Sequence, residues 1–411
     1  RRVLFRSFDD RYFAEFNFGY NGSENFTPKN RYGFFPSVGL GWVISNESFF
    51  EPLTNVIQYL KVRGTWGQVG NSQISGRRFA YLATVTDSSS TSYTFGKNMD
   101  QNYGTTAIDE YAVDVTWEVA DKTDIGVDMR LLNNKLNLQF DYFKESREGI
   151  YLRRSSIPSY VGMINNPYGN IGKVENKGFE LSVNYANSWG GDWSLSLMGN
   201  YSFNRNKVLE DDSTVVYPWQ NTIGNKVGQR FGLVALGLFE SYGEIAASPV
   251  QTGDTRPGDI KYKDINGDGK IDEYDKVPIG WGSVPEIMYG FGFSLGWKNL
   301  SLTAMFQGAA HVDAMLSGEG VLPFSQGSSR GNLLSNITDR WTEENPRQNA
   351  FYPRLSIGNI NMNYEESTWW LKDTDYLRLK NIELSYRLPD HWMKRIHLDN
   401  ARIFIQGVNL L

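Results

Sequence analysis

Six residues in one stretch have the types and spacing to hold a cation. The segment PGDIKYKDINGDGKIDEYD (257–275) places Asp264, Asn266, Asp268, Lys270, Asp272 and Asp275 at positions 1, 3, 5, 7, 9 and 12 of a calcium-loop pattern, with Gly269 at position 6. Calcium takes six to eight hard oxygen ligands. Asp264, Asn266 and Asp268 would offer side-chain oxygens, Lys270 a backbone carbonyl, and Gly269 the sharp turn. Asp272 would act directly or through water. Asp275 stands where the pattern has a bidentate Glu, with a shorter arm. No helical pattern flanks the loop, so a paired helical hand is not expected. The competing reading is a string of Asx turns that shapes a surface loop. Calcium is a candidate ligand here, and no cofactor is required elsewhere.

Little else has the look of catalysis. The three histidines, His311, His391 and His397, lie in no HExxH motif, and there is no G-x-S-x-G elbow or P-loop. A carboxylate pair would need no local motif, and 46 Asp and Glu residues make any pair chosen by eye arbitrary. Trp219, Trp281, Trp369 and Trp370 could stack on a sugar, but packing within their own loops is the plainer reading. The absence of cysteine rules out disulfides, an iron–sulfur cluster, thiolate zinc and a Cys nucleophile. The chain is read as a non-enzyme.

The elements that would position these residues are strands. The chain has 411 residues, 41 glycines, 12 Trp, 23 Tyr and 24 Phe, and a net charge of −5. That sparse, mildly acidic charge argues against nucleic acid as a partner. The longest apolar stretch, around residues 231–239, is far short of the ~20 residues a membrane-spanning helix needs. A mean hydropathy of −0.44 does not argue against a membrane barrel, whose alternating strands keep the average low.

Alternation recurs along the chain. Leu136, Leu138, Phe140 and Tyr142 interleave with Asn137, Gln139 and Asp141; Phe179, Leu181, Val183 and Tyr185 interleave with Glu180, Ser182 and Asn184. Such segments are strands with one apolar and one polar face. Eleven are expected, near 11–20, 34–45, 58–67, 123–132, 135–150, 178–187, 192–204, 286–297, 300–308, 376–388 and 401–411. Asn133-Asn134, Lys298-Asn299 and residues 188–191 read as tight turns. Between them lie long polar excursions at 68–122, 151–177, 205–285 and 308–375. Short and long connections alternate, as in an outer-membrane barrel with short periplasmic turns and long extracellular loops. Aromatics at strand ends (Trp42, Trp66, Trp193, Trp297, Tyr386) fit girdles at the membrane interfaces. The polar faces, with Glu15, Asn17, Arg63, Asp124, Asp128, Arg130, Asp141, Glu180 and Asn184, would line a wet or plugged lumen. The fold class is all-β: an antiparallel transmembrane β-barrel.

Residues 1–7, RRVLFRS, match one reading frame of a common short-read sequencing adaptor and are set aside from the fold on that ground; the alternative is a genuine basic strand end. Residues 8–411 are then read as an internal piece of a longer barrel protein.

Eight stretches carry a family resemblance: FNFGYNGSENF (16–26), RYGFFPSVGLGWVISNESFF (31–50), LKVRGTWGQVGN (60–71), WEVADKTDIGVDM (117–129), VENKGFELSVNY (174–185), GDIKYKDINGDGKIDEYDKVPIG (258–280), DRWTEENP (339–346) and YLRLKNIELSYRLP (376–389). In this order they resemble the C-terminal half of a SusC/RagA-type TonB-linked outer-membrane transporter. The resemblance implies a 22-strand barrel with an N-terminal plug, of which this chain would hold about strands 11 to 21. The plug, the TonB box and the last strand would lie outside it. The resemblance also implies a SusD-like surface lipoprotein as lid, a TonB–ExbB–ExbD complex as energy source, outer-membrane lipids around the barrel, and oligosaccharide or peptide cargo. Two other readings stay open: an extracellular all-β glycan-binding or glycan-cleaving protein, and a passive porin.

Overall fold

Twelve strands form one sheet, and that sheet builds the first of two compact units, residues 1–214, 287–308 and 377–411. The structure, a computed structural model, describes residues 2–74, 76–99, 101–325, 333–358, 360–395 and 398–410. His397 and Leu411 therefore lie outside the described residues. The strands are β1 (Arg2–Phe8), β2 (Tyr12–Gly22), β3 (Tyr32–Val43), β4 (Ile57–Asn71), β5 (Glu118–Leu131), β6 (Leu136–Arg153), β7 (Tyr168–Trp189), β8 (Trp193–Glu210), β9 (Ile287–Trp297), β10 (Leu300–Ala310), β11 (Tyr376–Arg387) and β12 (Arg402–Val408). They lie side by side in chain order. Neighbours from β1 to β9, and β11 with β12, run antiparallel.

The eleven expected strands are present, and the twelfth is β1. It pairs with β2 from Arg2↔Phe18 to Phe8↔Tyr12, through a turn in which Asp9 and Asp10 take positive φ. Edge pairing runs through backbone groups, so an extended segment of any origin ahead of β2 can add to the sheet. The adaptor origin proposed for residues 1–7 is independent of that pairing.

Connections alternate as expected. Residues 9–11, 44–56, 132–135, 190–192, 298–299 and 388–401 join strands at one end; 23–31, 72–117, 154–167, 211–286 and 311–375 join them at the other. The long connections are shorter than expected, because strands continue past the alternating segments. β4 runs to Asn71, β5 starts at Glu118, β6 runs to Arg153 and β7 starts at Tyr168. The ladder is a backbone property, and it goes on where side-chain alternation stops marking it. Between β4 and β5 a further hairpin pairs residues 84–95 with 101–110. The Asn133-Asn134 turn is wider than two residues: Leu132, Asn133 and Asn134 all have φ near 60°, and the Gln58 side-chain oxygen accepts from the Asn133 amide at 2.9 Å.

The apolar face of β5–β9 forms continuous rows across strands. One row reads Ile125, Tyr142, Phe179, Phe203, Ile287; the next reads Val127, Phe140, Leu181, Tyr201, Tyr289. Phe179 packs its ring against Phe140, Tyr201 and Phe203. The face ends in Trp189, Trp193 and Trp297, directly opposite one another. From Trp189 to Phe179 is about 33 Å along the strand, or about 25 Å across a bilayer at the usual tilt. Side chains on this face stay exposed, among them Ile125, Phe140, Leu181 and Leu197. A sheet face that apolar and that exposed is built for hydrocarbon.

The second unit, residues 215–286 and 309–376, has a water-soluble kind of core. Leu233, Leu238, Ile260, Tyr262, Ile271, Trp341, Tyr352 and Trp370 are buried together. Four two-stranded pairs hold it: 230–232 with 277–279, 235–238 with 260–262, 250–251 with 270–271, and 313–315 with 371–373. At its centre Asp259 is 1% exposed. Its carboxylate accepts two bonds from Arg354 at 2.9 Å each, and others from Asn363 (2.8 Å), Asn361 (3.2 Å) and the Arg256 amide (2.8 Å). Burial pushes the Tyr364 hydroxyl up to about 12 and raises that of Tyr262 as well. Tyr262 donates to the Met362 carbonyl at 2.8 Å.

Removing one partner of a buried, fully bonded ion pair costs about 3–5 kcal/mol. Asp259→Ala is therefore expected to unfold the second unit while the strands stay assembled. Proteolytic cutting within 215–286 and 309–376, with heat-modifiable gel mobility retained, is the expected result in the full-length protein.

Candidate functional site

The polar face of the sheet is one continuous wall. Glu15, Gly39, Thr65 and Asp124 form a row across β2–β5, and Asp141, Glu180 and Ser202 another across β6–β8. The register places Glu15, Asn17, Arg63, Asp124, Asp128, Arg130, Asp141, Glu180 and Asn184 on this one face, as the alternation predicts.

Arg63 is the wall's centre. Its guanidinium meets Asp124 at 3.1 Å, Asp128 at 3.4 Å, and Asp141 in a direct hydrogen bond. The acids come from β5 and β6, and Gly126 sits opposite both Arg63 and Asp141. A side chain at position 126 would collide with the guanidinium and the Asp141 carboxylate. Sequence reading missed Gly126, because its role depends on two neighbouring strands. Towards the long-connection end the same face carries Lys122–Glu145 at 3.1 Å, Arg147–Glu145 at 2.8 Å and Arg147–Glu118 at 3.0 Å. Across β6–β11 the wall hollows into a concavity of about 560 Å³, lined by Gln139, Asp141, Glu180, Asn200, Gln307 and Lys380 among others. Lys380 donates to Gln307 at 2.6 Å. Met288 and Met305 also line the concavity, so the surface offers donors and acceptors beside apolar area.

The loop of 264–275 folds as a chain of Asx turns. Asp264 accepts from the Gly267 and Gly269 amides at 2.6 and 2.9 Å. Asn266 accepts from the Asp268 amide at 3.0 Å, Asp268 from Lys270 at 2.9 Å, and Asp272 from Tyr274 at 2.8 Å. Asp275 is fully buried and ties the ends, accepting from the Ile265 amide at 2.7 Å and the Asp272 amide at 2.9 Å. Gly267 and Gly269 take positive φ. Among the described residues, no group of three or more acidic or His side chains converges on one point. The two Asp264 oxygens each take one backbone amide and keep a second lone-pair direction, whereas Asp275 Oδ1 accepts from both Ile265 and Asn266.

The loop tryptophans serve their own unit. Trp370 is buried and donates to the Asn363 carbonyl at 2.7 Å. Trp369 donates to Phe351 at 3.3 Å. Trp219 stacks on Tyr217 at 4.6 Å and donates to the Tyr274 carbonyl at 2.9 Å. Trp281 stacks on His311 at 4.0 Å. Below that stack, buried Glu286 meets Lys226 at 3.0 Å and His311 at 3.2 Å, and Asp313 pairs with Arg230. No local pattern marked this second charged cluster, whose members come from three separated segments.

Residues 6–410 match the family described as TonB dependent receptor-like, beta-barrel. The chain is 29% identical, over 98% of its length, to TonB-dependent receptor P3 of Formosa agariphila. It is 27% identical, over 93% of its length, to TonB-dependent receptor SusC of Bacteroides thetaiotaomicron. It spans 39% and 37% of those proteins, about two fifths of the length of the curated relatives it matches. All of the chain superposes on 43% of the matched chain in the structure of the RagAB peptide transporter, with TM-score 0.70 and 21% identity. At that identity the likeness is one of fold.

Arg63→Ala strands three carboxylates on the wall and is expected to lower unfolding stability by about 1–3 kcal/mol. Arg63→Lys is expected to recover only part of it, since one ammonium lacks the planar fork. Urea titration of the full-length protein in vesicles checks both.

Proposed function

The chain belongs to the TonB-dependent receptor-like β-barrel family and is an outer-membrane protein, and on that premise we propose that it forms wall and loops of an energised importer of a bulky polar nutrient. The cargo class is oligosaccharide, with peptide the alternative. The partners are a SusD-like surface lipoprotein over the long connections and TonB–ExbB–ExbD at the periplasmic side. The supporting observation is the charged inner wall around Arg63, which bears both signs. Many weak hydrogen bonds along such a wall let a hydrated cargo bind and leave. The two longest connections, folded around Asp259 into a unit of their own, would supply a shaped surface for capture. No bond is made or broken in the cargo, so no residue is given a catalytic role.

Deleting the complete gene is expected to abolish uptake of one oligosaccharide pool and spare its monosaccharides. Collapse of the proton gradient should abolish the same uptake. Unchanged uptake of oligosaccharides and peptides in the deletion strain would sink the reading.

Calcium in the 264–275 loop is proposed on ligand spacing. Of the six positions, Asp264, Asn266, Asp268 and Asp272 would offer side-chain oxygens and Lys270 its carbonyl, while Asp275 is engaged by the Ile265, Asn266 and Asp272 amides; bound calcium would tie down a loop whose Ile271 reaches the core. Isothermal titration of the full-length protein should show heat, lost in Asp264→Ala/Asp268→Ala; no heat with the intact protein removes calcium from the account.

A further inference from the structure

Both backbone bonds that Asp264 accepts fall on nitrogens with a chemistry of their own. Where Asn or Asp precedes glycine, the glycine nitrogen can attack the side-chain carbonyl carbon, because no Cβ crowds its approach. A succinimide ring closes, and the proton of the nitrogen departs with the leaving group: ammonia from Asn, water from a protonated Asp. Water then opens the ring to aspartate or to isoaspartate, whose main chain runs through the side-chain carbon. Asn-Gly occurs twice in the chain, as Asn21-Gly22 and Asn266-Gly267, and Asp-Gly once, as Asp268-Gly269. Two of these three pairs stand side by side in the 264–275 loop. The other, Asn21-Gly22, closes β2, where the ladder holds Asn21 opposite Gly33 and Gly22 opposite Tyr32.

Steric cover does not shield the loop pairs. Gly267 and Gly269 are exposed, and a Cβ built on either would meet nothing within 4 Å. One side chain restrains both. Asp264 accepts from the Gly267 nitrogen through Oδ1 at 2.6 Å and from the Gly269 nitrogen through Oδ2 at 2.9 Å. The carbons they would attack are held as well. Asn266 Oδ1 takes the Asp268 amide at 3.0 Å, its Nδ2 donates to Asp268 Oδ2 at 3.1 Å, and Asp268 Oδ1 takes the Lys270 amide at 2.9 Å. A nitrogen bonded to a carboxylate has to give up that bond before it can shed its proton and turn its electron pair to carbon. Bonds to a charged acceptor are about twice as strong as neutral ones. We propose that Asn266 and Asp268 are sites of succinimide and isoaspartate formation, and that Asp264 keeps both slow by holding the two glycine nitrogens. The proposal rests on neither the importer nor the calcium reading. Its consequence reaches the core. An added main-chain carbon at 266 or 268 displaces Lys270 and Ile271, which pair with Val250 and Gln251 and place Ile271 among the buried residues.

The experiment ages the full-length protein at mildly alkaline pH in the presence of a calcium chelator. Trypsin cuts after Lys263 and Lys270 and releases 264–270 with both sites in one peptide. Mass spectrometry reads the conversion of Asn266 to an acid, and chromatographic splitting of the peptide reads isoaspartate. In the folded wild type both reactions are expected to run at least about tenfold slower than in the same protein unfolded in urea, the factor that one bond to a charged group supplies. Asp264→Ala is expected to bring both close to the urea rate. Asp264→Asn, which keeps a single acceptor oxygen, should fall between. Asp272→Ala frees the neighbouring turn at Tyr274 without touching either glycine nitrogen, and should stay slow. Resistance of residues 215–286 to brief proteolysis shows that each variant is folded; where Asp264→Ala fails that check, Asp264→Asn carries the comparison. Equal rates in the folded and the urea-unfolded wild type would overturn the proposal. So would unchanged rates in the folded Asp264 variants. A rate in Asp272→Ala as high as in Asp264→Ala would assign the protection to the rigidity of the whole loop and remove Asp264 from its special place.

Discussion

Every backbone N–H and C=O that faces hydrocarbon has to be paired within the protein. The twelve-stranded ladder meets that constraint, and the rest of the first unit follows from it. Pairing forces a period of two, so one face is dressed for lipid and the other for water. The lipid face carries rows such as Val127, Phe140, Leu181 and Tyr201; the water face carries Arg63 and its acids. The same ladder continues beyond the hydrocarbon, where Lys173 sits opposite Glu148. There it holds long strands together with charge pairs instead of grease.

The connections obey a different rule. Residues 215–286 and 309–376 have water around them, so their backbone need not be in strands, and their strands are two to four residues long. What organises them is burial. Leu233, Tyr262, Tyr352 and Trp370 leave water, and Asp259 leaves with them because Arg354, Asn361 and Asn363 meet its oxygens. A buried carboxylate with that many donors ties segments about a hundred residues apart to one point. The Asp-rich loop is held by the same logic at smaller scale, through the buried Asp275.

The two units thus show two kinds of order. The wall is repetitive, tolerant of length and chemically divided by face. The loop unit is singular, with a core in which individual side chains cannot be exchanged freely. On the polar face of the sheet Arg63 and its acids, and Lys122, Arg147 and theirs, are satisfied by one another.

Alternation along Leu136–Tyr142 or Phe179–Tyr185 announced strands, their faces and the hydrocarbon, because a period of two is written in consecutive residues. Turn positions and the placement of long connections at one end were legible for the same reason, as was the self-bonded Asx string of 264–275, whose partners lie within five residues of each other apart from Asp275. Register was not legible. Nothing local says that Gly126 must make room for Arg63 and Asp141, or that Asp259 meets Arg354. Those juxtapositions depend on how far each strand slides past the next and on which distant segments share a core. The chain by itself determined what kind of surface each element presents; only the tertiary structure decided which residues on those surfaces meet, because pairing is set by cooperative backbone alignment and burial, not by neighbours in sequence.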